Sequence, residues 1–222
     1  MLTRYIHSVD IFGPFREISN DGLVDLKRNF PSLVSRKMTR AALMIGECLK
    51  DRTLSSEDAI IYATTFSETT SLEKYLDSFP TPSPLMFQNS IHPAGMEQLL
   101  IARKKPVEEF MSFAGDTGII YAALVSACVS AQPVQWIVCA EEKGTWLTDM
   151  NCGCDQDFAF AINLDSVPEN ALGRLDWKSS QFAESDGGYS VDSTLDLLQI
   201  LRDQKDCCIQ GISGTLELHW LS

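Results

Sequence analysis

Two kinds of apolar run alternate along the chain. Ala59-Ile60-Ile61-Tyr62-Ala63-Thr64-Thr65 is continuous, rich in β-branched residues and too short for a helix, which predicts a strand covered on both faces. Val134–Ala140 and Phe158–Ile162 have the same character, and Ile6–Ile11 predicts a first strand that gives way to a loop at Gly13 and Pro14. From Met38, the residues Ala41, Ala42, Ile45, Cys48 and Leu49 fall at helical spacing, with Arg36, Lys37, Arg40, Glu47 and Lys50 on other faces. This pattern predicts an amphipathic helix over 35–50 with Ser35 at its cap. Shorter helices are predicted over Ser71–Ser78, stopped by the prolines of Pro80–Pro84, and over Pro93–Ala102. Val107–Phe113 predicts a strand that leads into Gly115–Val129, a helix apolar almost all round and so buried at the centre of the molecule. Glu141–Gln156 reads as a loop or insertion, and Asp165–Ser190 carries no periodic signal. Leu195, Leu198 and Leu201 mark a last helix, and Leu216, Leu218 and Trp220 a closing strand. Strands alternating with helices, without an internal repeat, predict an α/β layered sandwich.

Composition fits one globular domain over 1–222: 45% of residues are hydrophobic and 22% charged. Charge narrows the partners. Eighteen basic against 30 acidic groups give a net charge of −12, which opposes nucleic acid and anionic membrane surfaces. Residues 1–60 carry nine basic and eight acidic groups, so an anionic partner is expected to approach this first third. The longest nearly apolar run, Ile119–Ala131, is shorter than the roughly 20 residues of a membrane span, so none is expected. The polar start Met1–His7 lacks the pattern of a secretory leader, and seven cysteines suit reduced thiols, which together imply a cytoplasmic protein.

Chemistry-bearing motifs are sparse. There is no glycine-rich phosphate loop, dinucleotide fingerprint or Gly-x-Ser-x-Gly elbow, so no cofactor is expected. Cys152-Gly153-Cys154 and Cys207-Cys208 lack the gaps that zinc sites favour, so no metal is expected. His92 lies between the proline-rich loop and a helix start, where it reads either as a capping or surface residue or as a base; His219 reads as solvent-facing. The turn Ser112-Phe113-Ala114-Gly115-Asp116-Thr117-Gly118 is the most informative segment. A strand opening into a buried helix exposes helix N–H groups that can activate a nucleophile, yet the turn offers Gly115, which has no side chain, and Asp116, which reads as a cap or a base.

The order of Ser35–Ala42, the strand Ala59–Thr65, Ser83-Pro84-Leu85-Met86-Phe87-Gln88-Asn89-Ser90, Ala94–Ala102 and Phe110–Gly118 resembles the N-terminal half of β-ketoacyl synthases. It is most similar to their short, chain-length-factor-like members, over roughly residues 30–140. The resemblance implies a thiolase-like layered α/β sandwich: a single half-unit with a mixed sheet and a buried central helix. It places the family's nucleophilic cysteine on Gly115, and this chain is too short to contain the two histidines that the family takes from a C-terminal half. Glycine cannot attack an acyl group, so the expectation is a non-catalytic partner subunit of an active ketosynthase in polyketide or fatty-acid-type biosynthesis, aryl polyene by association. Two alternatives stand beside it: acid–base chemistry on a thioester by His92 and Asp116, and a stand-alone acyl-binding homodimer.

The same resemblance places Phe110, Met111, Ser112 and Phe113 on a strand that pairs across a two-fold axis. It places Met86, Phe87, Ser90 and Ile91 near that interface, where Met86 and Phe87 either wall the partner's acyl tunnel or simply pack in the core. An acyl carrier protein is itself acidic. It would therefore dock indirectly, through the partner, or on a local patch formed by Arg36, Lys37, Arg40 and Arg103-Lys104-Lys105.

Overall fold

The structure is a computed structural model that describes residues 1–115, 118–179 and 191–221. One mixed sheet organises it, in the order β3-β2-β4-β5-β1-β6-β8-β7. Its strands are β1 (Leu2–Phe15), β2 (Ala59–Thr64), β3 (Glu109–Ala114), β4 (Val134–Glu141), β5 (Asp157–Asp165), β6 (Gly173–Ser179), β7 (Cys207–Gly211) and β8 (Gly214–Trp220). Only β2 pairs in parallel, with β3 on one side and β4 on the other; the rest of the ladder is antiparallel. The helices are α1 (Asn20–Arg28), α2 (Ser32–Ser35), α3 (Arg40–Cys48), α4 (Thr69–Asp77), α5 (Pro84–Ser90), α6 (Ala94–Arg103), α7 (Ile119–Val129), α8 (Trp146–Asp149) and α9 (Thr194–Asp203).

Strand alternation divides the core in two. Ile60, Tyr62, Trp136, Val138, Ala159 and Ala161 face a layer containing α3, α6 and α1, while Ile61, Ala63, Ile137, Cys139, Phe158 and Phe160 face α7 and α9. This is why β2, β4 and β5 read as continuous apolar runs. Helix α7 is the central helix that the pattern predicts, and it touches strands across the sheet, both edge strands included, so the sheet curls around it. Gly211 on β7 lets Tyr121 of α7 lie against the backbone, since a Cβ there would meet the ring at 2.3 Å. The Tyr121 hydroxyl then bonds Ser213 Oγ at 3.0 Å and accepts from Trp177 Nε1 at 3.1 Å. At the other end, Arg4 of β1 donates to the Ala127 and Ser130 carbonyls, completing the C-terminal turn of α7.

Several boundaries differ from the pattern reading. β1 runs straight through Gly13 and Pro14, with a register shift against β5 between Phe12 and Phe15 in place of the expected loop. Thr39, not Ser35, caps α3, accepting from the Ala42 N–H at 3.1 Å; Ser35 ends the separate turn α2. The strand expected from Val107 begins at Glu109, and the central helix begins at Ile119 rather than Gly115. The segment 141–156, expected as a loop, contains the end of β4 and the short helix α8, and β6 lies in the stretch without periodicity.

Candidate functional site

The C-terminal ends of β2, β3 and β4 meet at one corner of the sheet, the end where parallel α/β units usually place their sites. Thr64 closes β2 there and connects two of the residues that the sequence singles out. Its carbonyl accepts from the Gly115 N–H at 3.2 Å, and its hydroxyl lies 3.3 Å from His92 Nδ1. Gly115 has φ +142°, a backbone region that favours glycine, and among the described residues a Cβ built on it would meet nothing within 4 Å. Asp116 lies outside the described residues.

His92 belongs to a buried polar cluster that the sequence reading did not assemble. Its Nδ1 is also 3.0 Å from Ser67 Oγ, the Ser67 hydroxyl donates to Glu68, and Glu68 accepts from the Gly95 N–H at 2.7 Å. The ring stacks on Tyr62 with centroids 4.8 Å apart. Burial pushes the Glu68 carboxyl up to about 8 and the His92 imidazole down to about 4, so at neutral pH both are mostly uncharged. His92 Nε2 is buried without a hydrogen-bond partner among the described residues. As a neutral imidazole the ring can exchange one further hydrogen bond at Nε2, and the hydroxyls beside its Nδ1 are those of Thr64 and Ser67.

A second group of acids holds the corner together. Glu141 and Glu142 end the buried run of β4 and point to opposite sides. Glu141 accepts from the N–H groups of Thr65, Phe66 and Ser67 at 2.5, 2.9 and 2.7 Å and from Thr194 Oγ1 at 2.8 Å. Glu142 accepts from Ala41 N at 2.9 Å and Ser71 N at 3.1 Å, in the first turns of α3 and α4. Burial raises both carboxyls, against the pull of these donors. Asp157, fully buried, accepts from Ile18 N and Lys143 N and pairs with Arg40 at 3.0 Å. The one available signal was a Glu-Glu pair directly after an apolar strand run.

The thiols differ in exposure: Cys152 is exposed and Cys208 half-buried, while the other five are buried. All seven cysteines are free; burial pushes Cys128 and Cys154 up to about 12 and Cys139 well above its usual value. Among the described residues no group of three or more His, Cys, Asp or Glu side chains is placed to hold a metal, and no helix is long and apolar enough to cross a membrane.

Helix α5 is the other unusual feature, since none of its residues is buried. Met86 is 41% and Phe87 50% exposed, which rules out simple core packing for either; Phe87 only leans on Tyr75 of α4, with centroids 5.3 Å apart. Ile91 and Ser112 are exposed as well, and Ser90, Phe110, Met111 and Phe113 half-buried. β3 is an edge strand whose outer side pairs with nothing among the described residues.

No protein-family model and no curated protein matches the chain. Solved structures do. A ketosynthase (ApeO) in complex with its chain length factor (ApeC) from Xenorhabdus doucetiae matches with TM-score 0.65 at 18% identity, over 99% of this chain and 100% of that one. The ishigamide ketosynthase/chain length factor matches with TM-score 0.62 at 9% identity, over 80% of this chain and 67% of that one. The chain has a ketosynthase-like fold. In this layered, thiolase-like arrangement the expected mixed sheet and central helix are both present, and the ketosynthase-like fold runs the whole length of the chain rather than residues 30–140 alone.

Proposed function

We propose that this protein is a non-catalytic, chain-length-factor-like partner of an active ketosynthase. One observation carries the reading: the turn between β3 and α7 offers a glycine at 115, where the ketosynthase resemblance puts the acyl-accepting cysteine. Support comes from the coverage of the ApeO–ApeC match, whose matched chain is of about this chain's own length. The unpaired edge of β3 and the uncovered apolar residues of α5 suit a subunit completed by another chain. On this reading Phe110, Met111, Ser112 and Phe113 meet the partner strand, and Met86, Phe87, Ser90 and Ile91 line the boundary of its acyl tunnel. Aryl polyene assembly in the cytoplasm is the setting we attach to this role, following the resemblance read from the sequence.

The test is co-expression with a full-length ketosynthase from the same source, followed by incubation with a labelled acyl thioester. Copurification with label on the ketosynthase alone is the expected result. A stable acyl adduct on this chain would overturn the non-catalytic reading, and a self-sufficient homodimer that ignores the ketosynthase would overturn the partnership.

A further inference from the structure

The loop after β2, the segment after α8 and the start of α9 enclose a cavity of about 370 Å³ that shares no residue with β3, α5 or the Gly115 turn. Its deepest walls are Phe158 of β5, fully buried, and Thr194 of α9, and Phe66 stands at its mouth, 40% exposed.

The hydroxyl protons around this cavity are all spent inside the protein. Thr194 Oγ1 donates its one proton to Glu141 at 2.8 Å, so the 3.1 Å contact between Thr65 Oγ1 and Thr194 Oγ1 is carried by the Thr65 proton. The Thr194 N–H takes one Thr65 lone pair at 3.4 Å, which leaves the other for a ligand. Ser193 Oγ accepts from Asp196 N at 3.2 Å and donates to Asp196 Oδ2 at 2.8 Å, so it too keeps one lone pair. Thr148 Oγ1 gives its proton to the Cys154 carbonyl at 2.8 Å. The exposed carboxylate of Asp155 completes a wall of acceptors. Apart from the weak Cys154 thiol, Asn151 brings the one side-chain donor among the described lining residues, and its amide can present the oxygen instead.

A wall of lone pairs must be met by hydrogens. Among the described residues no Lys, Arg or His lines the cavity, so an anionic group would face lone pairs and Asp155 without compensation. A cation meets a carboxylate and an aromatic side chain, and the net charge of −12 draws it toward the molecule. The positive end of α9 borders the cavity, and the Asp196 carboxylate of its capping box offsets it. An alcohol also donates, but it brings one proton with two lone pairs of its own, whereas an ammonium brings three protons and none. We propose that this cavity binds a small primary amine in its ammonium form. Its N–H groups are shared among Asp155, Thr65 and Ser193, and its carbon frame lies against Phe66, Phe158 and Leu195.

The probe is 2-phenylethylamine, charged near pH 7 as a lysine amine is, titrated into the full chain by isothermal titration calorimetry. Two relatives of similar shape serve as controls: 2-phenylethanol, which is neutral, and 3-phenylpropionate, which is an anion. The amine is expected to bind, the alcohol about tenfold or more weakly, and the anion not at all. Asp155→Asn and Phe66→Ala, both at exposed positions, should each weaken the amine about tenfold while the unfolding midpoint stays put. No binding of the amine would overturn the proposal, as would an alcohol that binds equally well, since the cavity would then take neutral donors. Amine binding indifferent to both variants would also overturn it, because the cation would then sit elsewhere on an acidic surface. Copurification with the ketosynthase is a separate readout and should be unchanged in both variants; its loss would assign Phe66 and Asp155 to the subunit interface and overturn the amine site.

Discussion

A cysteine placed at position 115 would have room but the wrong backbone. Nothing among the described residues lies within 4 Å of a Cβ there, yet φ +142° is strained for any L side chain. Gly115→Cys is therefore expected to fold with a loss of about 1 to 3 kcal/mol in denaturant unfolding. It should remain unacylated when mass spectra are taken after exposure to an acyl thioester, because His92 is committed to Thr64 and Ser67 and has little basicity. The same cluster sets a pH dependence. Glu68 holds its proton in the folded state up to about pH 8 but releases it near the ordinary carboxyl value of 4.5 when unfolded, so its contribution to stability is complete below 4.5 and is lost as pH rises toward 8. His92 acts the other way, binding its proton more readily when unfolded, so stability falls as pH drops from 6.5 toward 4. The two oppose each other between 4.5 and 6.5 and leave Glu68 dominant above. Stability should decline between pH 6.5 and 8, and Glu68→Gln should flatten the slope; an equally steep decline in that variant would refute the assignment.

Helices α3 and α4 are joined through one side chain. Glu142 gives Oε1 to Ala41 N and Oε2 to Ser71 N, so in Glu142→Gln an amide NH2 must face one of these donors. A loss of about 1 to 3 kcal/mol is expected, visible as a lower unfolding midpoint. This joint shows why the fold was more legible in the sequence than the site. β2, β4, β5 and α7 announce themselves because the sheet buries both faces and curls around α7, leaving unbroken apolar runs. β6 and β7 carry a side exposed to solvent and short polar interruptions, which blur any period. The buried acids look like loop residues until folding brings helix N-termini to them from residues 41 and 71, so only tertiary structure explains Glu141, Glu142 and Asp157. Helix α5 sits between these cases. Pro84 starts it in the position proline favours, but its apolar side chains find no cover within the chain. If they border a partner's tunnel, Phe87→Ala should lengthen the product made by the reconstituted complex without lowering the thermal stability of the isolated chain. Unchanged product length would remove the tunnel role.

At the scale of the molecule, the sheet has two ends of different character. At the β7 end the charged groups sit just before β7, at Lys205 and Asp206, and on the neighbouring β8, where His219 contacts Asp206 and Glu217. β3 instead presents Phe110, Met111, Ser112 and Phe113, without a proline or lysine to discourage pairing. The direction of its backbone follows from one bond. The Gly115 N–H donates inward to Thr64, so by alternation the peptide groups of Phe113 and Met111 also turn toward β2, and those of Ser112 and Phe110 turn outward. Proline at 112 then removes an N–H that β2 does not use, a substitution that edge strands tolerate. Ser112→Pro should leave the circular dichroism spectrum and unfolding midpoint of the isolated chain nearly unchanged while abolishing copurification with the ketosynthase. Proline at 111 would break an inward bond and destabilise the chain itself, which separates a lost interface from a lost fold. Should Ser112→Pro copurify as well as the wild type, β3 would not be the pairing strand, and the uncovered face of α5 would have to account for the association.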